Sequence, residues 1–298
     1  MTWSALRVAS AAVAARALAQ RVPFFVDGAN VGCVDRKHLS VLRGYPQWLD
    51  VRADAVGLHI DMSQRNTALE VINAALREQG FVRTWRSEIF PLLNPNTGAV
   101  LAVMERAAMR FWGALTLGAH ATGYLADAWG HPTHLWIAQR SRDKATDPGL
   151  SDNLVGGGVA WGQSPLQALV REGWEEAGLS PQQMQRAVPG RVLRVMRPVA
   201  EGFQHEWLHS FDLRLEPGEQ PVNQDGEVAN FQLLPVAQAL ALAATQAMTV
   251  DASLVTLEFA LRHRLLPAWE MRGAEGQLDA SPHGLDRLAA SVPFAHSS

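Results

Sequence analysis

The sequence predicts a mixed α/β protein built from two domains, and three observations support this. The chain has 298 residues, 48% of them hydrophobic, which is enough to bury the core of one large domain or two ordinary ones. Short extended runs alternate with helical runs along the chain, as is typical of mixed α/β proteins. The pattern changes character between Gly113 and Gly123, so we place a domain boundary near Thr116.

The first section begins with a run that contains no acidic side chain up to residue 26 and carries Arg7, Arg16 and Arg21. We interpret it as an amphipathic first helix, with an organellar transit peptide as the alternative. The stretch "PFFVDGANVGCVD" is extended in pattern, and "MSQRNTALEVINAALREQG" is helical. Ser63 is the predicted N-cap of that helix and Gly80 its predicted stop.

The second section opens with "ATGYLADAWGHPTHLWIAQRS", which predicts a hairpin of two strands joined near Gly130 and Pro132. The predicted order from there is strand, loop, strand, helix, strand, strand, long loop, strand, helix, helix. The charge-free run from Val228 to Met248 is interrupted by Pro235 and amide side chains. It predicts the end of a strand followed by a helix, not a membrane span. The small, polar end of the chain is expected to be loosely attached.

Charge and cysteine content limit the partners of the protein. A net charge of −3 provides no basic field for a nucleic acid or an anionic membrane, whereas a small phosphorylated ligand stays possible. Cys33 is the single cysteine of the chain, so an intrachain disulfide and the usual thiolate metal clusters are excluded. A reducing compartment fits this best, and we predict a cytoplasmic location.

A helix with well-defined ends follows the glycine run in "LVGGGVAWGQSPLQALVREGWEEAGL". Ser164, Pro165 and Gln167 provide the cap, the first-turn proline and the capping-box partner, and Gly178 provides the stop.

Three carboxylates crowd one face of this helix. Glu172, Glu175 and Glu176 are related by steps of three and four residues, which makes their side chains neighbours. Like charges at this spacing destabilise a helix unless a cation neutralises them, and hard oxygen donors suit Mg²⁺ or Mn²⁺. A solvated acidic face is the alternative. The glycine run before the helix and Arg171 directly before the first glutamate favour a metal site.

The segment Gly157–Leu179 resembles the Nudix box, G-x5-E-x7-R-E-U-x-E-E-x-G-U, where U is a bulky aliphatic residue. The matching positions are Gly157, Arg171, Glu172, Glu175, Glu176, Gly178 and Leu179. Two positions depart from the pattern. Gln163 replaces the first glutamate, which lies outside the metal-binding core, and Gly173 replaces the bulky residue, which we expect to weaken packing of the helix.

The resemblance extends to "VPFFVDGANVGCV", "WRSEIFPL", "MERAAMRFWG", "HLWIAQRSRDKATDPGLSDNLVGGG", "DGEVANFQLL" and "LVTLEFALRHRLL". Together they resemble the thiamine-pyrophosphokinase-related Nudix hydrolases. The resemblance implies a Nudix α/β/α sandwich with a mixed sheet at residues 117–268, a smaller α+β domain at residues 1–116 and a tail at 269–298. It also implies a Mg²⁺-dependent diphosphatase of metabolite repair, which converts oxo- and oxythiamine diphosphate to the monophosphate.

The resemblance also implies roles for individual residues. Glu172 and Glu176 are the expected metal ligands, Glu175 binds a further ion or its water shell, and Arg171 orients the glutamates. Glu175 and Glu227 are the candidates for the catalytic base; a simple turn acid is the alternative for Glu227. The expected contacts to the diphosphate substrate are made by Arg140, Arg142, Lys144, Gly157 and Gly158.

Other functions stay open at this point. His205–His209 spells the H-E-x-x-H of zinc proteases, but its context is a strand, on which the two imidazoles lie about 13 Å apart and cannot share a zinc ion. A nucleotide-sugar or dinucleotide pyrophosphatase and a Nudix fold that only binds its ligand are the remaining alternatives. We expect the N-terminal section, with Trp85, Glu88 and Trp112, to border the site and to contact the rings of the substrate, although ordinary core tryptophans are the alternative.

Overall fold

The structure of the protein is a computed structural model, and it describes residues 2–278 and 280–281. The first section contains the elements α1 (Ser4–Val8), α2 (Ala11–Leu18), β1 (Arg21–Val26), β2 (Ala29–Asp35), α3 (Leu39–Leu42), β3 (Leu49–Val51), β4 (Val56–Leu58), α4 (Met62–Glu78), β5 (Ile89–Leu93), β6 (Val100–Glu105) and α5 (Arg106–Met109). The second section contains β7 (Leu115–Ala126), β8 (Pro132–Arg140), β9 (Ser151–Asp152), β10 (Val155–Gly158), α6 (Pro165–Ala177), α7 (Pro181–Met184), β11 (Val188–Val199), β12 (Gly202–Arg214), β13 (Val228–Pro235), α8 (Val236–Ala243), α9 (Val250–Arg262), α10 (Ala268–Glu275) and β14 (Ala280–Ser281).

The first section is built on a small mixed sheet of order β2-β1-β4-β3 and on the separate hairpin β5-β6. In the small sheet β1 pairs in parallel with β4 and antiparallel with β2. The turn from β1 to β2 places Asp27 and Gly28 at φ 50° and 74°, the left-handed conformation that tight hairpins require. Leu69, Ile72 and Leu76 of α4 are buried in the core with Phe24.

The second section is an α/β/α sandwich around a mixed sheet. Its strand order is β13-β8-β7-β12-β11-β14, with β10 on β7 and β9 on β8. β7 and β12 pair in parallel, while their other neighbours are antiparallel. One core lies on the side of α6 and α7 and a second core on the side of α8 and α9. The predicted fold class, with mixed sheets and a separate N-terminal domain, is confirmed.

Most of the predicted elements form as expected. The β7–β8 hairpin turns between Ala126 and Pro132, and the run from Val228 contains β13 followed by α8. The predicted N-cap of α4 is wrong, because the helix begins at Met62 and its N-cap is Asp61, two residues before Ser63. Gly80 adopts φ 78° and follows the last turn of this helix, where its N–H donates to the Arg77 carbonyl.

The two ends of the described chain pack on the second section. In α1 the residues Ala5 and Leu6 are buried in the same core as α9, and the Ser4 N–H donates to the Ala244 carbonyl at 3.0 Å. The helix α10 buries Ala274 in that core. The boundary near Thr116 falls at the start of β7 and stays a prediction, and residues 282–298 of the predicted tail lie outside the described residues.

Two sequence-based alternatives are decided by the fold. The residues His205 to His209 lie within β12, so the zinc-protease interpretation fails for the expected reason: its two imidazoles are not on one face of a helix. Among the described residues, no helix is long and apolar enough to cross a membrane.

Candidate active site

The helix α6 positions the carboxylates, and its ends form as predicted. Ser164 Oγ accepts a hydrogen bond from the Gln167 N–H at 3.1 Å, and Gln167 Oε1 accepts one from the Ser164 N–H at 2.8 Å. Gly178 ends the helix in the left-handed conformation. The expected packing defect at Gly173 is absent because Met184 of α7 fills the space. A Cβ atom at Gly173 would lie 2.5 Å from the Met184 sulfur, so α6 and α7 pack more closely than a bulky residue would allow.

Glu172 lies directly against the strand that precedes the helix. A Cβ atom at Gly157 would lie 2.3 Å from Glu172 Oε1, so only glycine permits this approach. Burial and the nearby Glu176 raise the pKa of Glu172 to about 7. The protein therefore holds this carboxylate where a neutralising cation would stabilise its ionised form.

Glu176 is more deeply buried and is bound by a lysine from a distant loop. Its Oε1 lies 2.8 Å from Lys144 Nζ, and its Oε2 accepts a hydrogen bond from the Gly156 N–H at 3.1 Å. Burial raises the pKa of Glu176 despite the lysine. Burial lowers the pKa of Lys144, but Glu176 and Glu227 together outweigh this effect, and the net pKa lies above its ordinary value. Lys144 is thus a permanent cation, with its side chain only 7% exposed.

Arg171 links the other two carboxylates of the helix. Its Nη2 donates to Glu172 Oε1 at 2.7 Å and its Nη1 to Glu175 Oε2 at 2.6 Å. The geometry fits the predicted orienting role, and it also contains a simple ion pair to Glu175, four residues further along the helix. Glu175 is the most exposed of the three, with 41% of its side chain accessible.

The chemistry of these donors fits a hard divalent cation. The carboxylates are buried or partly buried oxygen donors, and Glu172 and Glu176 raise the free energy of each other's ionised form, a cost that Mg²⁺ or Mn²⁺ would offset. Within the described part of the chain, no three candidate ligand side chains converge closely enough to enclose a metal ion. Lys144 and Arg171 hold the carboxylates in this arrangement, so metal binding requires Glu172 and Glu176 to exchange these partners.

A polar cavity of about 150 Å³ opens beside α6 and is walled by both sections of the chain. The N-terminal section contributes Arg86, Glu88, Arg106 and Arg110, and α6 contributes its arginine and three glutamates. The expectation that the N-terminal section borders the carboxylates is therefore confirmed. Trp112, in contrast, is fully buried core, where its indole N–H donates to Asn73 Oδ1 at 2.8 Å.

The residues predicted to contact the substrate divide into two groups. Lys144, Gly157 and Gly158 line the cavity, and a Cβ atom at Gly158 would lie 2.6 Å from the Phe90 ring of the N-terminal section. Arg140 also lines it, but its guanidinium is bound to Asp152 Oδ2 at 2.7 Å and to the carbonyls of Thr146 and Asp147.

Arg142 is exposed and does not line the cavity. The three basic residues of this loop therefore have different surroundings. Lys144 lines the cavity, Arg140 is bound within the loop and to Asp152, and Arg142 is exposed to solvent.

Glu227 lies at the outer edge of the cavity between two cations. Its Oε2 lies 2.5 Å from Lys144 Nζ and its Oε1 lies 3.8 Å from Arg86 Nη1. Burial tends to raise the pKa of Glu227, but the hydrogen bond from Lys144 and the nearby charges lower it overall. Glu227 is thus held ionised, and Lys144 bridges it to Glu176.

A second pair of carboxylates, Glu206 and Asp251, lines the inner end of the same cavity. The Gln204 amide nitrogen joins them, lying 2.7 Å from Glu206 Oε2 and 3.0 Å from Asp251 Oδ2. Arg197 Nε donates to the amide oxygen at 2.7 Å and fixes the orientation of the amide. Burial and the charge of Asp251 raise the pKa of Glu206.

Several of the residues that line the cavity have no local signal in the sequence. Arg86, Arg106 and Arg110 belong to the N-terminal section, and Glu206 and Asp251 lie on β12 and α9. These residues lie far from α6 along the chain, so no sequence motif includes both. They meet α6 only in the folded structure. The sequence indicates a role for the N-terminal residues only through the family resemblance. Arg86 and Glu88 lie in "WRSEIFPL", and Arg106 and Arg110 lie in "MERAAMRFWG".

Comparison with known proteins agrees with this architecture. Residues 119–254 match the NUDIX domain, and residues 5–116 match DUF4743, a domain of unknown function. The chain is 30% identical to Nudix hydrolase 24, chloroplastic, of Arabidopsis thaliana over 257 residues, which cover 84% of this chain and 69% of the relative. It is 31% identical to Nudix hydrolase 20, chloroplastic, of the same plant over 259 residues, which cover 83% and 69%. The crystal structure of DR0079 from Deinococcus radiodurans is 25% identical and covers 58% of this chain and 99% of its own, with a TM-score of 0.44.

The chain therefore belongs to the Nudix hydrolase family, and it is an enzyme that acts on phosphoric anhydrides.

Proposed function

We propose that the protein is a Mg²⁺-dependent diphosphatase of the thiamine-pyrophosphokinase-related Nudix subfamily. Its proposed substrates are damaged forms of thiamine diphosphate, the oxo and oxythiamine diphosphates, which it converts to the monophosphate and phosphate. Water adds to one phosphorus atom, the bridging P–O bond breaks, and the two protons of water are divided between the products and the solvent. The observation that carries the proposal is the cavity in which the glutamates of α6 face cations from both sections of the chain.

Each group of residues that lines the cavity has a separate role in the proposed reaction. Glu172 and Glu176, with Glu175 at the outer side, would hold the divalent ion, which supplies charge stabilisation for the reacting diphosphate. Lys144, Arg86 and Arg106 provide positive charge for its oxygens. Arg171 orients Glu172 and Glu175 through the two hydrogen bonds described above.

The catalytic base is assigned to Glu175 in this proposal. A general base must be able to reach a water molecule, and close pairing with cations weakens a base because it lowers the pKa of the carboxyl. Glu175 is held by a single arginine and is accessible, whereas Glu227 is bound between Lys144 and Arg86 with a lowered pKa. Glu227 is assigned to positioning Lys144, and its role as base becomes the alternative.

A screen that separates and quantifies the phosphorylated products by chromatography tests the proposal, because cleavage within ADP-ribose or NADH yields two monophosphates and no free phosphate. The purified full-length protein is supplied with Mg²⁺ and with thiamine diphosphate, its oxo and oxy forms, ADP-ribose or NADH. We expect the highest kcat/KM for the oxo or oxy form. Preferred cleavage of ADP-ribose or NADH would instead identify a nucleotide-sugar or dinucleotide pyrophosphatase, and tight binding of ligands without turnover would identify a binding protein.

We also propose a cytoplasmic or similarly reducing location, supported by the single, buried Cys33. The two plant relatives carry the word chloroplastic in their names. Imaging of the chain with a fluorescent protein at its C-terminus tests this proposal, and accumulation in an organelle would contradict it.

A further inference from the structure

A groove of about 450 Å³ adjoins the outer side of the cavity and is formed by three loops. We call it the Trp85 groove. The loops contribute Thr84, Trp85, Arg86 and Glu88 after α4, Ser141, Asp143, Lys144 and Ala145 after β8, and Asp225, Gly226 and Glu227 before β13. Arg86, Glu88, Lys144, Asp225 and Glu227 line both the groove and the cavity. A ligand whose phosphates reach the cavity can therefore extend directly into the groove.

The volumes favour the groove as the place for the organic end of a substrate. The cavity of about 150 Å³ also contains the charged groups that a diphosphate would contact, and the small pocket beyond its inner wall has about 50 Å³. The groove is larger, at about 450 Å³, and falls in the range of roughly 300 to 1,000 Å³ that is usual for ligand pockets.

Trp85 is the aromatic side chain of this groove, and its surroundings hold it in place. The guanidinium of Arg77 lies 5.0 Å from the centre of its ring. The Arg86 N–H donates to Glu105 Oε1 at 3.0 Å, which ties the loop to β6. On either side, Thr84 and Ser87 adopt φ 58° and 59°, a conformation that costs free energy in residues other than glycine and is often found at functional sites.

The unpaired charges of the groove are acidic. Glu88 is paired with Arg106, and Glu227 is paired with Lys144 and Arg86. Asp143 and Asp225 are exposed, and no ion pair to either is present in the described part of the chain. Carboxylates at the rim of an aromatic platform favour a ligand group that is both flat and positively charged.

We propose that the Trp85 groove binds the organic end of the substrate, and that this end is an aromatic group carrying positive charge, stacked on the Trp85 ring. The proposal rests on the proposed diphosphatase function and assigns substrate selection to the loop after α4. Of the substrates proposed above, oxythiamine diphosphate belongs to this class through its thiazolium ring, whereas the oxidised ring of the oxo form is neutral.

The test compares substrates that share the diphosphate and differ in the organic group. The probes are oxythiamine diphosphate, its analogue with a neutral thiophene ring, and methyl diphosphate, which has no ring. For the Trp85→Ala variant, we expect the ratio of kcat/KM for oxythiamine diphosphate to that for methyl diphosphate to fall about tenfold. Trp85→Phe should retain most of the ratio. The matched control is Trp129→Ala, which removes a tryptophan that is 83% exposed and lines neither the cavity nor the groove.

The charge component is tested separately with Asp143→Asn. We expect about a threefold lower kcat/KM for oxythiamine diphosphate and no change for the thiophene analogue. Equal ratios in wild type and Trp85→Ala would overturn the groove assignment, and equal losses for both rings in Asp143→Asn would overturn the preference for a cation. A ratio that responds to Glu206→Gln but not to Trp85→Ala would place the ring at the inner end of the cavity instead.

A binding measurement separates failure of this inference from failure of the proposed function. Calorimetric titration with oxythiamine diphosphate and Ca²⁺ in place of Mg²⁺ reports the affinity without turnover. A wild type that binds but releases no phosphate from any probe would refute the diphosphatase proposal, while weaker binding by Trp85→Ala would still support the groove. A wild type that does not bind would refute the groove.

Discussion

Two pairs of carboxylates line the same cavity, and the protein neutralises them differently. Glu172 and Glu176 are bound by cationic side chains, those of Arg171 and Lys144 respectively. Glu206 and Asp251 share the neutral amide of Gln204 instead. A cation can be exchanged for another cation, whereas a neutral amide leaves two like charges close together, so burial and the charge of Asp251 favour retention of a proton by Glu206. The first pair is therefore suited to binding a metal ion, and the second pair to stabilising the inner wall of the cavity.

The largest expected effect is the contrast between Glu176→Gln and Glu206→Gln. Loss of a charged metal ligand should lower kcat for phosphate release by at least about 100-fold, or about 3 kcal/mol of transition-state stabilisation. Glutamine resembles a protonated glutamate, so Glu206→Gln should keep kcat within about threefold of wild type. Circular dichroism and thermal melting serve as controls for folding. Equal losses in the two variants would remove the distinction between the pairs.

The next effect separates the two candidates for the base. Glu175→Gln should lower kcat about 100-fold with little change in KM, since a general base acts mainly in the transition state. Glu227→Gln should cost about tenfold, because Lys144 keeps its bond to Glu176 when it loses one of its two partners. Steady-state kinetics of both variants measure these changes. A larger decrease of kcat in Glu227→Gln than in Glu175→Gln would assign the catalytic base to Glu227.

Removal of the metal ion tests whether Glu172 and Glu176 exchange Arg171 and Lys144 for a divalent cation. A chelator should abolish activity, and added Mg²⁺ or Mn²⁺ should restore it. Saturating Mn²⁺ should raise the melting temperature of wild type and of Glu206→Gln by a few degrees, because a ligand stabilises the state that binds it. The shift should be absent in Glu176→Gln. Full activity in the presence of the chelator would exclude a metal-dependent reaction.

The smallest effect is on stability and concerns the second pair. The raised pKa of Glu206 means that the folded protein retains a proton that the unfolded chain releases above about pH 4.5. This contribution is complete below the unfolded pKa and is lost as the pH rises through the folded pKa. Glu206→Gln removes it, so the stability of this variant relative to wild type should increase with pH by about 1.4 kcal/mol per unit of pKa shift.

Urea unfolding of both proteins from pH 4.5 to 7.5 measures this difference. Asp251, His120 and Arg110 face the same carboxyl and are unchanged in both proteins. Parallel stability curves across this range would show that Glu206 ionises in the folded protein as it does in the unfolded chain.

The local geometry of the site can be predicted from the spacing of its residues along the chain. The ends of α6 follow from Ser164, Gln167 and Gly178, whose side chains or backbone freedom act within one turn. The adjacency of Glu172 and Glu176 follows from the helical repeat. The alternating pattern around His205 likewise predicts a strand, on which the two imidazoles cannot share a zinc ion.

Tertiary structure alone decided which partners these groups have. Lys144 reaches Glu176 from a loop 32 positions away, and Gly173 is accommodated by Met184 on another helix. The wall of arginines comes from the N-terminal section, and the second carboxylate pair forms because β12 and α9 meet at the cavity. Contacts within a turn are fixed by backbone geometry and can be predicted from spacing, whereas contacts between distant segments depend on how the whole sheet and both cores pack, which no local pattern records.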